Sequence, residues 1–174
     1  DARLILVTGG ARAGKSCFAQ SLAEENGFTQ HLFVATAVAC DPEMARRIRK
    51  HQKSRNGQWF LLEEPTQLPE KIPAARLTRQ SVVLLDCLPT FTSNLLLKKR
   101  STSQIQKKIA GLIERLRKPG VTPILVSNEV GLGVVPEHPL GRTFRDLLGQ
   151  VNQQVARAAD EVYWLVAGIP VRIK

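Results

Sequence analysis

Several things are scarce in this chain, and each scarcity closes off a class. Cysteine occurs three times in 174 residues, at Cys17, Cys40 and Cys87. An odd count at no metal-like spacing argues against a disulfide framework or a cysteine-built zinc site. It suits a reducing compartment, with thiols expected to be buried and inert. Aromatic residues reach only 5%, and no basic stripe is interleaved with them. That counts against a platform for single-stranded nucleic acid. The longest apolar stretches, such as Val162 to Ile169, are too short to span a bilayer. Asp1-Ala2-Arg3 leads straight into Leu4-Ile5-Leu6-Val7 without the small-residue cleavage site of a signal peptide. A cytoplasmic protein with no transmembrane segment is therefore expected. Internal repeats, low-complexity tracts and linkers are missing too, so residues 1–174 are read as a single domain. Acidic residues are few: 15 against 25 Lys plus Arg, a net charge of +10. This balance favours an anionic partner, although a solvated basic surface explains it equally, and charge alone does not separate nucleic acid from nucleotide.

What is present is ordinary for a globular protein. Hydrophobic residues make up 43% and charged residues 23%, and the length allows a core without disulfides or structural metal. Short apolar runs alternate with amphipathic stretches. Leu4 to Val7, Leu32 to Ala35, Val82 to Leu85, Pro123 to Val126 and Val162 to Val166 read as strands. Val171 to Ile173, after a turn at Gly168, completes a C-terminal antiparallel strand pair. Lys15 to Glu25, Asp41 to about Ser54, Thr92 to Lys99, Ser103 to Arg117 and Leu140 to Ala159 read as helices. Strands alternating with helices predict an α/β fold with a mostly parallel sheet covered on both faces. Ligands then bind beyond the carboxyl ends of the strands. Thr8-Gly9-Gly10, Thr36, Asp86 and Ser127-Asn128-Glu129 fall there.

Gly9-Gly10-Ala11-Arg12-Ala13-Gly14-Lys15-Ser16 matches G-x-x-x-x-G-K-[ST], with a strand before it and a helix after it. Glycines let the backbone curl so that several N–H groups face one anion, and the helix N-terminus adds partial positive charge. Lys15 reaches the β- and γ-phosphates, and Ser16 holds Mg²⁺. Asp86, at the end of a strand of four apolar residues, has the placement of the acid that supports that Mg²⁺. The expected ligand is a nucleoside triphosphate; the motif says little about the reaction.

In the helix after Asp41, Met44, Ile48, His51 and Arg55 form one stripe. Arg47 lies one turn before His51 and Arg55 one turn after it. Guanidinium forks suit a polyphosphate, and flanking positive charge disfavours protonation of the imidazole. A neutral ring is the nucleophilic form; a structural histidine is the competing reading. Ser127-Asn128-Glu129-Val130-Gly131-Leu132-Gly133 is either a substrate loop or a glycine-bearing turn. Arg142, Arg145, Asn152 and Arg157 read as the solvated face of the last helix.

The chain resembles the bifunctional adenosylcobinamide kinase / adenosylcobinamide-phosphate guanylyltransferase family of cobalamin biosynthesis. The resemblance rests on Leu6 to Arg12 with Gly14-Lys15-Ser16, Ala35-Thr36, Glu43-Met44, Arg47-Ile48, His51, Arg55, Trp59, and Thr92 with Asn94-Leu95-Leu96. It continues through Asn128 to Gly131 with Gly133, Val135-Pro136-Glu137, Phe144-Arg145-Asp146, Val151-Asn152-Gln153, Ala158 to Val162 and Gly168-Ile169. It implies a three-layer, RecA-like P-loop NTPase fold and a homotrimer. It also implies two reactions: phosphorylation of adenosylcobinamide by ATP or GTP, then transfer of GMP from GTP to adenosylcobinamide phosphate through a guanylyl-histidine. The guanylylated residue falls on His51. Nucleotide contacts fall on Gly9, Gly10, Ala11, Arg12, Ala13, Gly14, Lys15, Ser16, Ala35, Thr36, Ala37, Arg55, Glu63 and Asp86. The sequence departs from the family pattern at Asp86, where some members have Glu, at Asn56-Gly57, where many have Pro after the arginine, and at Ala13, often Ser.

Three other readings stand beside this one. A plain P-loop kinase would leave His51 structural. A GTP-dependent switch would carry N-K-x-D, which this sequence lacks. A basic nucleic-acid binder would reveal itself by a steep salt dependence of affinity.

Overall fold

The computed structural model describes residues 3–25, 27–37, 59–72, 77 and 80–174. The described strands form one seven-stranded sheet. They are β1 (Ile5–Gly9), β2 (Gln30–Ala35), β3 (Trp59–Glu63), β4 (Ser81–Asp86), β5 (Val121–Val126), β6 (Glu161–Val166) and β7 (Ile169–Arg172), in the spatial order β3-β2-β4-β5-β1-β6-β7. All neighbours pair in parallel except β6 and β7. The mostly parallel sheet and the antiparallel terminal pair are as expected. Val166 faces Ile169 across the two-residue turn Ala167-Gly168, both at positive φ, the geometry of a tight hairpin.

Alternation along the central strands sends their side chains into two cores. Leu4, Leu6, Val83, Leu85 and Leu125 pack against α3 (Leu88–Leu97), α4 (Thr102–Leu116) and α5 (Pro139–Ala158). Ile5, Val7, Val82, Leu84, Ile124 and Val126 pack against Ala19 and Ala23 of α1 (Lys15–Glu25). Burial on both faces explains why these strands read as unbroken apolar runs. In α4, Ile105, Ile109, Leu112 and Leu116 form the buried stripe. Ser101 and Gln104 close its N-terminus with a reciprocal capping box. Pro123 is tolerated in an interior strand because the β1 ladder begins one residue later, at Ile5 opposite Ile124.

Some expectations need correction. Trp59–Glu63, not expected as a strand from its sequence, is one, at the sheet edge, where Phe60 and Leu61 stay exposed. Its inward anchor is Trp59, whose ring lies 4.9 Å from that of His31. The four-residue α2 (Leu68–Lys71) was not expected either. Helix α3 starts at Leu88 rather than Thr92, because Pro89 is accommodated in a first turn and Leu88 and Phe91 are fully buried. It stops at Leu97, and Lys99 turns to positive φ. Cys17 is exposed rather than buried. The expected helix from Asp41 to Ser54 lies outside the described residues. Among the described residues, no helix is long and apolar enough to cross a membrane.

Candidate active site

The parallel pairing brings the carboxyl ends of β3, β2, β4, β5 and β1 to one edge. Glu63 stands opposite Ala35, Ala35 opposite Asp86, Asp86 opposite Val126 and Val126 opposite Val7. At ~4.8 Å per strand, this row runs about 19 Å from Glu63 to β1. It thus aligns three of the residues singled out from sequence, with Thr36 and the glycine loop just beyond.

Gly9 to Ser16 run from the last residue of β1 through a loop into the first turn of α1. Ala13 N–H donates to the Gly10 carbonyl at 3.3 Å, and Phe18 N–H to the Gly14 carbonyl at 3.0 Å. Gly9 has φ 145°, and a Cβ there would lie 2.5 Å from the Leu165 carbonyl oxygen of β6. Only glycine permits so close an approach. Gly14 has φ 91° and faces Gly168 Cα, while Gly168 N–H donates to the Ala13 carbonyl at 3.1 Å. The β6–β7 turn therefore braces the loop from behind. Ala13 takes part through its backbone, so the lack of a serine hydroxyl there leaves the cradle intact. Gly10 to Gly14 and Ser16 remain at least partly accessible.

Lys15 is buried, with Nζ donating to the Gly10 carbonyl. Burial pulls its pKa below 10.5, against the opposing influence of Cys87 and Asp86. Ser16 Oγ donates to Asp86 Oδ2 at 2.8 Å, so the two residues assigned to Mg²⁺ are in contact. A hydroxyl and a carboxylate, both hard oxygen donors beside a phosphate loop, fit the usual ligand set of that ion.

Past Asp86, Thr36 Oγ1 accepts from Cys87 N–H at 2.9 Å and donates to the Cys87 carbonyl at 2.8 Å. Asn94 donates to the carbonyls of Thr36 and Pro65, at 2.9 and 3.1 Å. These bonds lock the exits of β2, β3 and β4 together. Burial pushes the Cys87 thiol up to about 11, with Asp86 adding to the effect; it is a protonated packing group at neutral pH.

On the other side of Asp86, the Ser127-Asn128-Glu129 segment closes onto β1. Ser127 N–H donates to the Val7 carbonyl at 2.9 Å and Glu129 N–H to the Gly9 carbonyl at 3.1 Å. Asn152 is buried rather than part of a solvated face. Its amide donates to the Asn128 carbonyl at 2.8 Å and to Glu129 Oε1 at 3.2 Å, and its carbonyl accepts from Ser127. A polar residue on a helix reads as solvent-facing by default, which is why the sequence misleads here. Its position one residue after Val151, beside the buried stripe, was the available signal. His51, Arg47 and Arg55 lie outside the described residues. Ala37, the last described residue before that segment, sits half-buried at the site edge.

Comparison with known proteins agrees with this arrangement. Residues 5–173 match the family described as CobU, cobinamide kinase / cobinamide phosphate guanyltransferase. The bifunctional adenosylcobalamin biosynthesis protein CobU of Escherichia coli is 41% identical, over 98% of this chain and 99% of its own length. The bifunctional adenosylcobalamin biosynthesis protein CobP of Pseudomonas aeruginosa is 40% identical, over 97% and 96%. Among solved structures, an ATPase of a bacterial type III secretion system superposes with TM-score 0.65 at 10% identity, covering 94% of this chain and 51% of that one. The flagellar accessory protein FlaH of Methanocaldococcus jannaschii gives 0.54 at 16% identity, covering 99% and 78%. These two likenesses speak for the fold alone: an α/β P-loop architecture. With the phosphate loop formed, Ser16 against Asp86, and relatives matched nearly end to end, the chain belongs to the cobinamide kinase / cobinamide phosphate guanyltransferase family.

Proposed function

We propose that this protein phosphorylates adenosylcobinamide with ATP or GTP and then transfers GMP from GTP to adenosylcobinamide phosphate, through a guanylyl group on His51, giving adenosylcobinamide-GDP. The observation that carries this reading is the Ser16–Asp86 contact of 2.8 Å at the mouth of a phosphate loop, in a chain 41% identical to a bifunctional relative over nearly its whole length.

In the first reaction the loop amides and Lys15 hold the triphosphate tail. Phosphoryl transfer demands positioning and charge neutralisation more than covalent machinery. Lys15 spreads the charge that builds on the bridging oxygen, and its burial strengthens that contact. Ser16 and Asp86 would hold Mg²⁺, which supplies further neutralisation of the β- and γ-phosphate oxygens. In the second reaction a neutral His51 nitrogen bonds to the α-phosphorus as the bond to the pyrophosphate oxygen breaks. The phosphate oxygen of adenosylcobinamide phosphate then displaces the histidine. This relay splits one difficult transfer into two. Arg47 and Arg55 would supply guanidinium donors to the phosphate oxygens in this step.

The row of strand ends supports assigning nucleotide contacts to Ala35, Thr36, Ala37 and Glu63 as well as the loop. Its span of about 19 Å leaves room for the tail and the nucleoside end to be held apart. A single domain, a homotrimer and a cytoplasmic location complete the proposal. The test is a staged incubation: adenosylcobinamide with ATP, then GTP, followed by mass spectrometry of the corrinoid. The expected masses are those of the phosphate ester and then the GDP conjugate. Unchanged corrinoid with folded protein overturns the reading.

A further inference from the structure

The two transfers differ in one chemical respect. An alcohol must lose a proton when it becomes a phosphate ester, whereas a phosphate monoester is already anionic and attacks without a base. A site that performs both reactions therefore needs a proton acceptor for the kinase step alone.

Among the described residues, Glu129 has the placement for that task. It lies three residues past Val126, which stands opposite Asp86, and its backbone N–H is fixed to the Gly9 carbonyl at 3.1 Å. The carboxylate is thus carried to the site edge on the first residue of the phosphate loop. Both donors that hold it act on the same oxygen: Thr8 Oγ1 at 2.9 Å and Asn152 Nδ2 at 3.2 Å reach Oε1. Asn152 is itself buried and fixed by Ser127 and the Asn128 carbonyl. One oxygen is pinned, while Oε2 takes no hydrogen bond among the described residues, and the residue is half-buried. Asp86, with Ser16 against it, is already assigned to the metal ion of the phosphate loop. A carboxylate anchored on one oxygen and open on the other is the arrangement of a general base.

We infer that Glu129 is the base of the kinase step, a role that rests on the function proposed above. Oε2 accepts the proton of the acceptor hydroxyl while that oxygen bonds to the γ-phosphorus. The bond from the γ-phosphorus to the β,γ-bridging oxygen breaks, and the nucleoside diphosphate leaves with its electron pair. Glu129 then releases the proton to water. Thr8 and Asn152 are positioning residues that orient the carboxylate.

The test measures both reactions in one preparation of each full-length variant. Wild-type enzyme is assayed first: failure to phosphorylate adenosylcobinamide defeats the function reading and this inference together. With wild-type activity in hand, Glu129→Gln is expected to lower kinase kcat by about 10²-fold or more. KM for ATP and guanylyl labelling of the protein by GTP should stay within about twofold. Glu129→Asp, which keeps the carboxylate, should restore part of the rate; it also serves if the Gln variant does not fold. Kinase kcat within about threefold of wild type in Glu129→Gln refutes the inference. Parallel loss of both reactions with raised KM refutes it too, since that is the signature of a scaffold for the loop.

Discussion

Lys15 sits where a cation is costly until an anion arrives. It is buried and its pKa is lowered by desolvation, so the free site is primed for the negative charge of a triphosphate. Lys15→Ala is expected to depress both reactions by roughly 10²-fold or more, measured with γ-labelled ATP for the kinase and α-labelled GTP for guanylylation. A pH effect follows from the same burial. The free protein gives up the Lys15 proton below the usual 10.5, and nucleotide prefers the charged form. Affinity should fall on the alkaline side before pH 10.5 is reached, with proton uptake on binding, as calorimetry in buffers of different ionisation enthalpy would detect; Lys15→Met should remove both. Gly9 is the other decisive residue. With φ 145° and the Leu165 carbonyl oxygen 2.5 Å from where a Cβ would stand, Gly9→Ala should cost at least ~1–3 kcal/mol, read as a lower midpoint in urea.

At the scale of elements, the packing of α5 against the β5 exit carries the second half of the site. Asn152→Leu would strip Ser127 and Glu129 of a shared partner. It should destabilise the fold by ~1–3 kcal/mol, whereas Ser101→Ala at the α4 cap should cost ~1 kcal/mol and leave both reactions alone. How legible each element was from sequence depends on what holds it. Strands β1, β2, β4 and β5 are buried on both faces, so apolar content marked them. Among the described residues, strand β3 pairs with β2 alone and leaves Phe60 and Leu61 exposed; no alternation or burial pattern distinguishes such an edge, although the apolar run Trp59 to Leu62 after Asn56-Gly57 was a usable sign. The start of α3 was obscured by Pro89, which marks a helix's first turn as readily as its end. The phosphate loop was legible because its spacing is local. The roles of Asn152 and Glu129 were not, since their partners lie more than twenty residues away.

At the scale of the molecule, charge ties the two ends of the chain to the sheet. Glu161 at the start of β6 meets Arg3, Tyr163 and Arg172. Its carboxyl is held below the usual range, chiefly by the hydrogen bond from Arg3. A depressed carboxylate pKa stabilises the fold above the unfolded value near 4.5 and loses that contribution as pH falls through the folded value. Stability should therefore decline as pH falls below 4.5, and Glu161→Gln should flatten that part of the stability profile in a thermal melt series. The sheet so held presents the phosphate loop, Asp86 and the exit of β2 along one edge, and the claim that unites them is a triphosphate tail in the loop with its nucleotide end passed to His51. Labelling with α-³²P GTP, followed by mass mapping of the modified peptide, tests this most directly. The expected product is an acid-labile, base-stable GMP adduct on His51 that vanishes in His51→Ala while kinase activity persists. Full guanylyl transfer by His51→Ala, or an adduct on another residue, would contradict it.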